Sequence, residues 1–174
     1  KGSVFRAHSP LRFLQPLMGL PLETLQMESA RSLSDLTPLK GMPLNRLSLK
    51  GNPKVHDLSP LKGMPLYFLE LGRTGVRDLS PLKGMPLKQL DLWECKVNNL
   101  APLAGMQLEI LNISNIGIVD LSPLKGMPMK ELHIGNNPEL RILAPLTGMP
   151  LGRLDISYSK NIRNILPLKG LPLK

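Results

Sequence analysis

Apolar side chains recur along this chain in a pattern that fits neither a long helix nor an isolated strand. In "PLYFLELGRTGVRDLSPLKGM" (65–85), leucine stands at 66, 69, 71, 79 and 82, valine at 76 and methionine at 85. Leu69 and Leu71 alternate with Phe68, Glu70 and Gly72, the period of a short extended strand with its leucines on one face. A turn, an aliphatic residue and Leu79 follow, and then Ser-Pro-Leu. Ser80 suits the cap and Pro81 the first position of a short helical turn. The residues left before the next strand are too few for an α-helix, so a 3-10 turn is expected. Gly84 supplies an unusual φ, Met85 a core side chain, and Pro86 launches the next strand.

The same succession returns along the chain. The opening proline falls at Pro21, Pro43, Pro65, Pro86, Pro128, Pro150 and Pro172, with Gln107 in its place once, so the spacings run 22, 22, 21, 21, 21, 22 and 22. Seven repeats result: 21–42, 43–64, 65–85, 86–106, 107–127, 128–149 and 150–171. Residues 1–20 form a degenerate partial repeat at the N-terminal edge that includes Phe5 and Phe13, with "FLQPLMGL" (13–20) as the back half of a unit. Residues 172–174 start a further repeat, whose strand Leu173 begins. The chain opens without methionine and stops inside a repeat, as a piece of a longer protein would. The extra residue of the longer units lies between strand and turn: Leu49 to Val55 is six positions, Leu71 to Val76 five. Two of these insertions are Asn-Pro turns, Asn52-Pro53 and Asn137-Pro138.

One unit alone cannot offset the entropy of ordering its own backbone. Stacked units bury a continuous core and pair each strand with the next. The expectation is one short parallel strand per repeat, no long α-helix, and burial of Leu47, Leu49, Leu69, Leu71, Leu90, Leu92, Leu111, Ile113, Leu132, Ile134, Leu154 and Ile156.

Composition changes this picture little. The 18 prolines and 15 glycines keep to the schedule, so they read as turn chemistry and not as disorder. The net charge of +9 raises the question of nucleic acid. Much of the excess, however, sits at one slot, Lys40, Lys62, Lys83, Lys125 and Lys169, which reads as an exposed, solubilising ladder. Aromatic residues make up 3% and no nucleic-acid motif occurs, so no nucleic-acid partner is expected. No apolar run approaches the roughly 20 residues of a membrane span, and no direct membrane insertion is expected of this piece. The single cysteine, Cys95, excludes an internal disulfide.

The pattern LxxLxL, followed three positions on by Ala30, Asn52, Thr74, Cys95, Ile116, Asn137 or Ser159, resembles the leucine-rich repeat. Its asparagine slot bonds the backbone of adjacent coils. The aliphatic-x-Asp-Leu-Ser-Pro-Leu stretch is similar to the repeats of bacterial internalins, and the compact Gly-Met-Pro link to planctomycete-type repeats, some attached to Ser/Thr kinases. The resemblance implies an α/β solenoid, mostly β plus 3-10 turns, wound as a curved right-handed superhelix. It also implies a non-enzymatic module that binds a protein or peptide on its concave sheet. The alternatives are the sensor or scaffold region of a larger signalling protein, or a self-associating structural or cell-surface array.

Candidate chemistry is sparse. The exposed position inside LxL reads Gln26, Ser48, Glu70, Asp91, Asn112, His133, Asp155. Glu70 and Asp91 fall side by side, as a glycosidase pair would. An open sheet has no cleft to desolvate either, and Arg46, Lys50, Arg73 and Lys88 are placed to compensate their charge. His8, His56 and His133 share no phase, so no metal site and no cofactor are expected. Cys95 reads as a buried structural thiol, and "NIS" (112–114) as a chance glycosylation sequon within a strand. Asp35, Asp57, Asp78 and Asp120 should bond local backbone, with Asn99, Ile142 and Asn164 breaking the column. Thr37, Ser59, Ser80 and Ser122 should cap the turns, and Ala101, Ala144 and Leu166 cannot, which loosens the sixth and seventh units.

Four of the six aromatics, Tyr67, Phe68, Trp93 and Tyr158, lie in or just after the strands. Phe68, Trp93 and Ile110 should project from the concave face, with Tyr158 and Arg73 at strand exits and Arg46 and Arg153 flanking. With Glu70, Asp91 and His133 these form the candidate protein-binding face. Aromatic and arginine side chains are the types enriched at interface hot spots. End-to-end association through the last coil, or further sequence that continues the stack, is a further expectation.

Overall fold

The computed structural model describes residues 3–7 and 14–174; His8 and Phe13 lie outside them. Eight strands form one parallel sheet in chain order: β1 Val4–Ala7, β2 Thr24–Met27, β3 Arg46–Ser48, β4 Phe68–Glu70, β5 Gln89–Asp91, β6 Ile110–Asn112, β7 Glu131–His133 and β8 Arg153–Asp155. Residues of equal phase pair across the sheet, Leu47 with Leu69, Leu69 with Leu90, and so to Leu132 with Leu154. Each coil returns through one three-residue 3-10 turn, such as Ser80–Leu82, and no α-helix occurs among the described residues. The result is an open solenoid with the sheet on one side and the 3-10 turns on the other.

β1 is a strand that the repeat pattern does not mark, since residues 1–20 read only as a degenerate partial repeat. β1 pairs with β2 along its whole length, Val4 with Thr24 to Ala7 with Met27, and the Ser3 hydroxyl donates to Pro21 O. Residues 171–174 carry no strand, so Leu173 begins none. Even so, Lys174 N–H donates to Gly152 O, where Gly152 N–H itself donates to Lys130 O one coil earlier.

Leu47 through Ile134 of the expected core set are fully buried. Leu154 and Ile156 are not: both are only half-buried, because their equivalents are covered by the coil that follows and nothing covers the last one. The contrast is sharpest at Leu143, 1% exposed, against its equivalent Ile165, 62% exposed. In the Gly-Met-Pro link the glycine has a positive φ in every coil, for example +74° at Gly84, and a Cβ there would meet nothing. The backbone conformation alone therefore requires glycine at this slot.

Turn capping differs from the expectation. The cap residue is the leucine before the serine, as at Leu58 and Leu79, and it makes no side-chain cap bond. The aspartate two positions before the serine or threonine accepts that residue's N–H: Thr37 to Asp35, Ser59 to Asp57, Ser80 to Asp78 and Ser122 to Asp120, each 2.8 Å. These bonds, with those from the hydroxyls, hold the four carboxyls below their ordinary pKa. Asn99 and Asn164 do not break the column. Their amide oxygens accept from Ala101 and Leu166 N–H at 2.9 Å, since a neutral oxygen acceptor satisfies the same donor. Ile142 has no such acceptor, yet the cap of its turn (Leu143, φ −102°) matches the others (Leu79, φ −99°).

The asparagine slot is where the two repeat lengths show their effect. In longer units the extra residue closes a local turn, Leu33 N–H to Ala30 O, Val55 N–H to Asn52 O, and Leu140 N–H to Asn137 O. In the shorter units Gly75 and Lys96 N–H reach back to Val55 O and Val76 O of the preceding coil. Asn137 follows a short coil, whose Ile116, Gly117 and Ile118 N–H groups all donate to its Oδ1 at 3.3, 2.9 and 3.1 Å. Asn52 follows a long coil already closed on itself, and its buried Oδ1 has no partner. Each amide nitrogen donates once to the preceding coil, Asn52 to Met27 O and Asn137 to Ile113 O, and once within its own, to Leu49 O and Ile134 O. Cys95 is buried and its thiol donates to Leu71 O at 2.9 Å, and burial pushes its pKa up. It is structural, as expected.

Candidate binding face

Because each strand pairs in register, side chains of equal phase stand in rows across the sheet. The row of first strand residues runs Arg46, Phe68, Gln89, Ile110, Glu131, Arg153. The next row runs Glu70, Asp91, Asn112, His133, Asp155, all half-buried; Ser48, expected to be exposed in the same row, is buried, and its hydroxyl donates to Glu28 Oε1 at 3.2 Å. Phe68, Ile110 and Trp93 are half-buried on this face, none of them part of the core beneath.

The candidate residues gather into three groups. Arg46 lies over Phe68, its guanidinium carbon 3.9 Å from the ring centroid, and also faces Tyr67. Arg73 stacks on Trp93 at 4.2 Å, with Lys50 over the same ring at 5.7 Å, and pairs with Glu94 at 2.6 Å. A cation over an aromatic ring contributes about 0.5–1 kcal/mol at exposed sites, enough to hold one rotamer of both partners. In the third group Glu131 Oε1 lies 2.7 Å from His133 Nε2 and 3.1 Å from Arg153 Nη1, while His133 Nδ1 is 3.9 Å from Asp155 Oδ2. His133, and then Arg153, hold Glu131 below the ordinary carboxylate range. Tyr158 stands apart, 76% exposed at the exit of the last strand.

The cations expected to neutralise Glu70 and Asp91 do not do so. Arg46 is on Phe68, Lys50 and Arg73 are on Trp93, and Lys88 lies 3.5 Å from Glu109. Glu70 and Asp91 pair in register on β4 and β5 with no ion pair to either; Asp91 Oδ1 accepts only the Trp93 N–H, at 2.7 Å. No group of three or more metal-ligating side chains occurs among the described residues. Among them, too, no helix is long and apolar enough to cross a membrane.

Two features escaped the sequence. Glu94 completes the Arg73 pair and could have been found by phase, since it stands 21 positions on from Arg73 and so at the same point of the next coil. The second is backbone strain. The residue after each strand exit is left-handed, and where glycine or asparagine would sit most easily the chain has Ser29 (φ +58°), Arg73 (φ +59°), Glu94 (φ +55°) and Tyr158 (φ +58°).

No family model matches the sequence, and no curated protein matches it significantly. Among solved structures, an internalin (inlF) of Listeria monocytogenes superposes with a TM-score of 0.79 at 29% identity, over 94% of this chain and 49% of its own. Internalin C2 (inlC2) of the same organism gives a TM-score of 0.82 at 31% identity, over 87% of this chain and 69% of its own. The chain is thus a leucine-rich-repeat solenoid, a non-catalytic class of module. Within that class it belongs to the internalin family, and it spans about half the length of the first of these relatives.

Proposed function

We propose that the exposed face of the sheet binds a protein or peptide, with Phe68 and Trp93 as anchors and Arg46, Arg73, Arg153, Glu70, Asp91, Ile110, His133 and Tyr158 around them. The observation that carries this reading is the pair of aromatic rings set on the sheet's outer face and each held by a stacked arginine. The core does not need them there, and rigid aromatic–arginine surfaces lose little entropy when a partner docks.

The test is alanine substitution of Phe68 and Trp93, measured against a captured partner with the fold verified by circular dichroism. A loss above about 1 kcal/mol for either supports the face as the site, and smaller losses at both place binding elsewhere.

A second reading, self-association, is favoured by one specific surface. Leu154, Ile156, Ile162, Leu168 and Leu171 are only half-buried at the last coil, and Leu166 and Leu173 are exposed beside them. Such an edge fits another coil, whether of a second copy of this chain or of repeats that continue its own stack.

A further inference from the structure

We infer that Glu70 and Asp91 form the floor of a socket for one lysine or arginine side chain of the partner; this rests on the sheet face being the binding surface. Four carboxylates lie on the strands of that face. Glu131 has His133 and Arg153 beside it and Asp155 has His133, whereas among the described residues Glu70 and Asp91 have no cation partner. The chain is not short of cations, with 22 lysines and arginines against 13 acids. The nearest ones are turned away onto Phe68, Trp93 and Glu109.

Like charges directly opposite across a strand pair destabilise it. The Glu70–Asp91 pair therefore costs the folded chain something that its own residues do not recover. A cation brought by a partner would relieve that repulsion, so the pair stabilises a complex more than it stabilises the free protein.

The shape around the pair agrees. A shallow depression of about 180 Å³ runs from β4 to β7, lined by Phe68 and Ile110 as well as by Glu70, Asp91, Asn112 and His133. It is smaller than the roughly 300–1,000 Å³ of drug-sized ligand sites, and suits a single side chain. The apolar walls would take the methylene stem while the carboxylates take the charged head, the usual division of a long basic side chain. Arg46, stacked on the Phe68 wall, repels a second cation at that edge, which confines the preference to one basic residue with neutral or acidic neighbours.

A phage-displayed library of random dodecapeptides selected on the wild-type chain tests this. The enriched peptides are measured against wild type, E70Q/D91N and F68A/W93A. The expected result is one shared lysine or arginine position. Its change to glutamine and the E70Q/D91N change should each weaken binding about tenfold and should not add, because both remove the same interaction. E70Q/D91N should also melt no lower than wild type without peptide. Enriched peptides with no basic residue, acidic peptides seated on Arg46 and Arg73, or basic peptides indifferent to E70Q/D91N would overturn the socket. If those peptides still lose binding with F68A/W93A, the sheet face stands as the binding surface. If they are indifferent to that change as well, both readings fall.

Discussion

Replacing Asn137 by alanine should destabilise this solenoid more than the same change at Asn52, although both side chains are fully buried at the same repeat position. Asn137 makes four bonds of good length: Nδ2 to Ile134 O (2.9 Å) and Ile113 O (3.0 Å), and Oδ1 from Gly117 (2.9 Å) and Ile118 (3.1 Å). At a net of about 1 kcal/mol each, the loss is about 4 kcal/mol. Asn52 has the two nitrogen bonds, to Met27 O (2.6 Å) and Leu49 O (2.7 Å), and an oxygen with no partner, so about 2 kcal/mol is expected. Thr74→Val provides the low reference, because the threonine hydroxyl faces only the Cys95 sulfur at 3.4 Å. That change should cost less than about 1 kcal/mol. The assay is urea unfolding followed by circular dichroism. Amide exchange at residues 113–118 would localise the effect, because a repeat array can open in segments. An Asn52→Ala loss equal to or greater than that of Asn137→Ala would refute the reasoning, since it would mean that the oxygen's bonds contribute nothing.

Two further outcomes follow from the turns and the chain end. The depressed pKa values of Asp35, Asp57, Asp78 and Asp120 mean that their contribution is fully present above the ordinary value of 3.8 and is lost as pH falls through the lower folded values. D57N/D78N/D120N keeps the backbone bond, as Asn99 does, so an acid titration should show a shallower loss of stability below pH 3.8; an unchanged slope would refute the assignment. For the last coil, sedimentation velocity should show mass rising with concentration in the wild-type chain and not in I165K/L173K, and a monomer at every concentration would exclude self-association.

The repeat period, the strand in LxxLxL, the 3-10 turn and nearly all of the core were legible in the sequence, because each is local chemistry repeated at a fixed interval. Identical register across the sheet follows from that interval, and so does the phase that puts Phe68, Glu70, Asp91 and Ile110 on one face. The partnerships between coils were not legible. Nothing local says that Arg46 and Arg73 would leave two carboxylates bare in favour of aromatic rings, since that choice depends on the reach of side chains from neighbouring strands. Nor does the asparagine slot announce that Asn137 is saturated while Asn52 carries an orphan oxygen. That outcome is set by whether the preceding coil has 21 or 22 residues and so directs its N–H groups inward to a neighbour or into its own turn. Leu154 and Ile156 match every buried leucine of the array in sequence and are half-buried all the same, because a solenoid's core exists only between two coils.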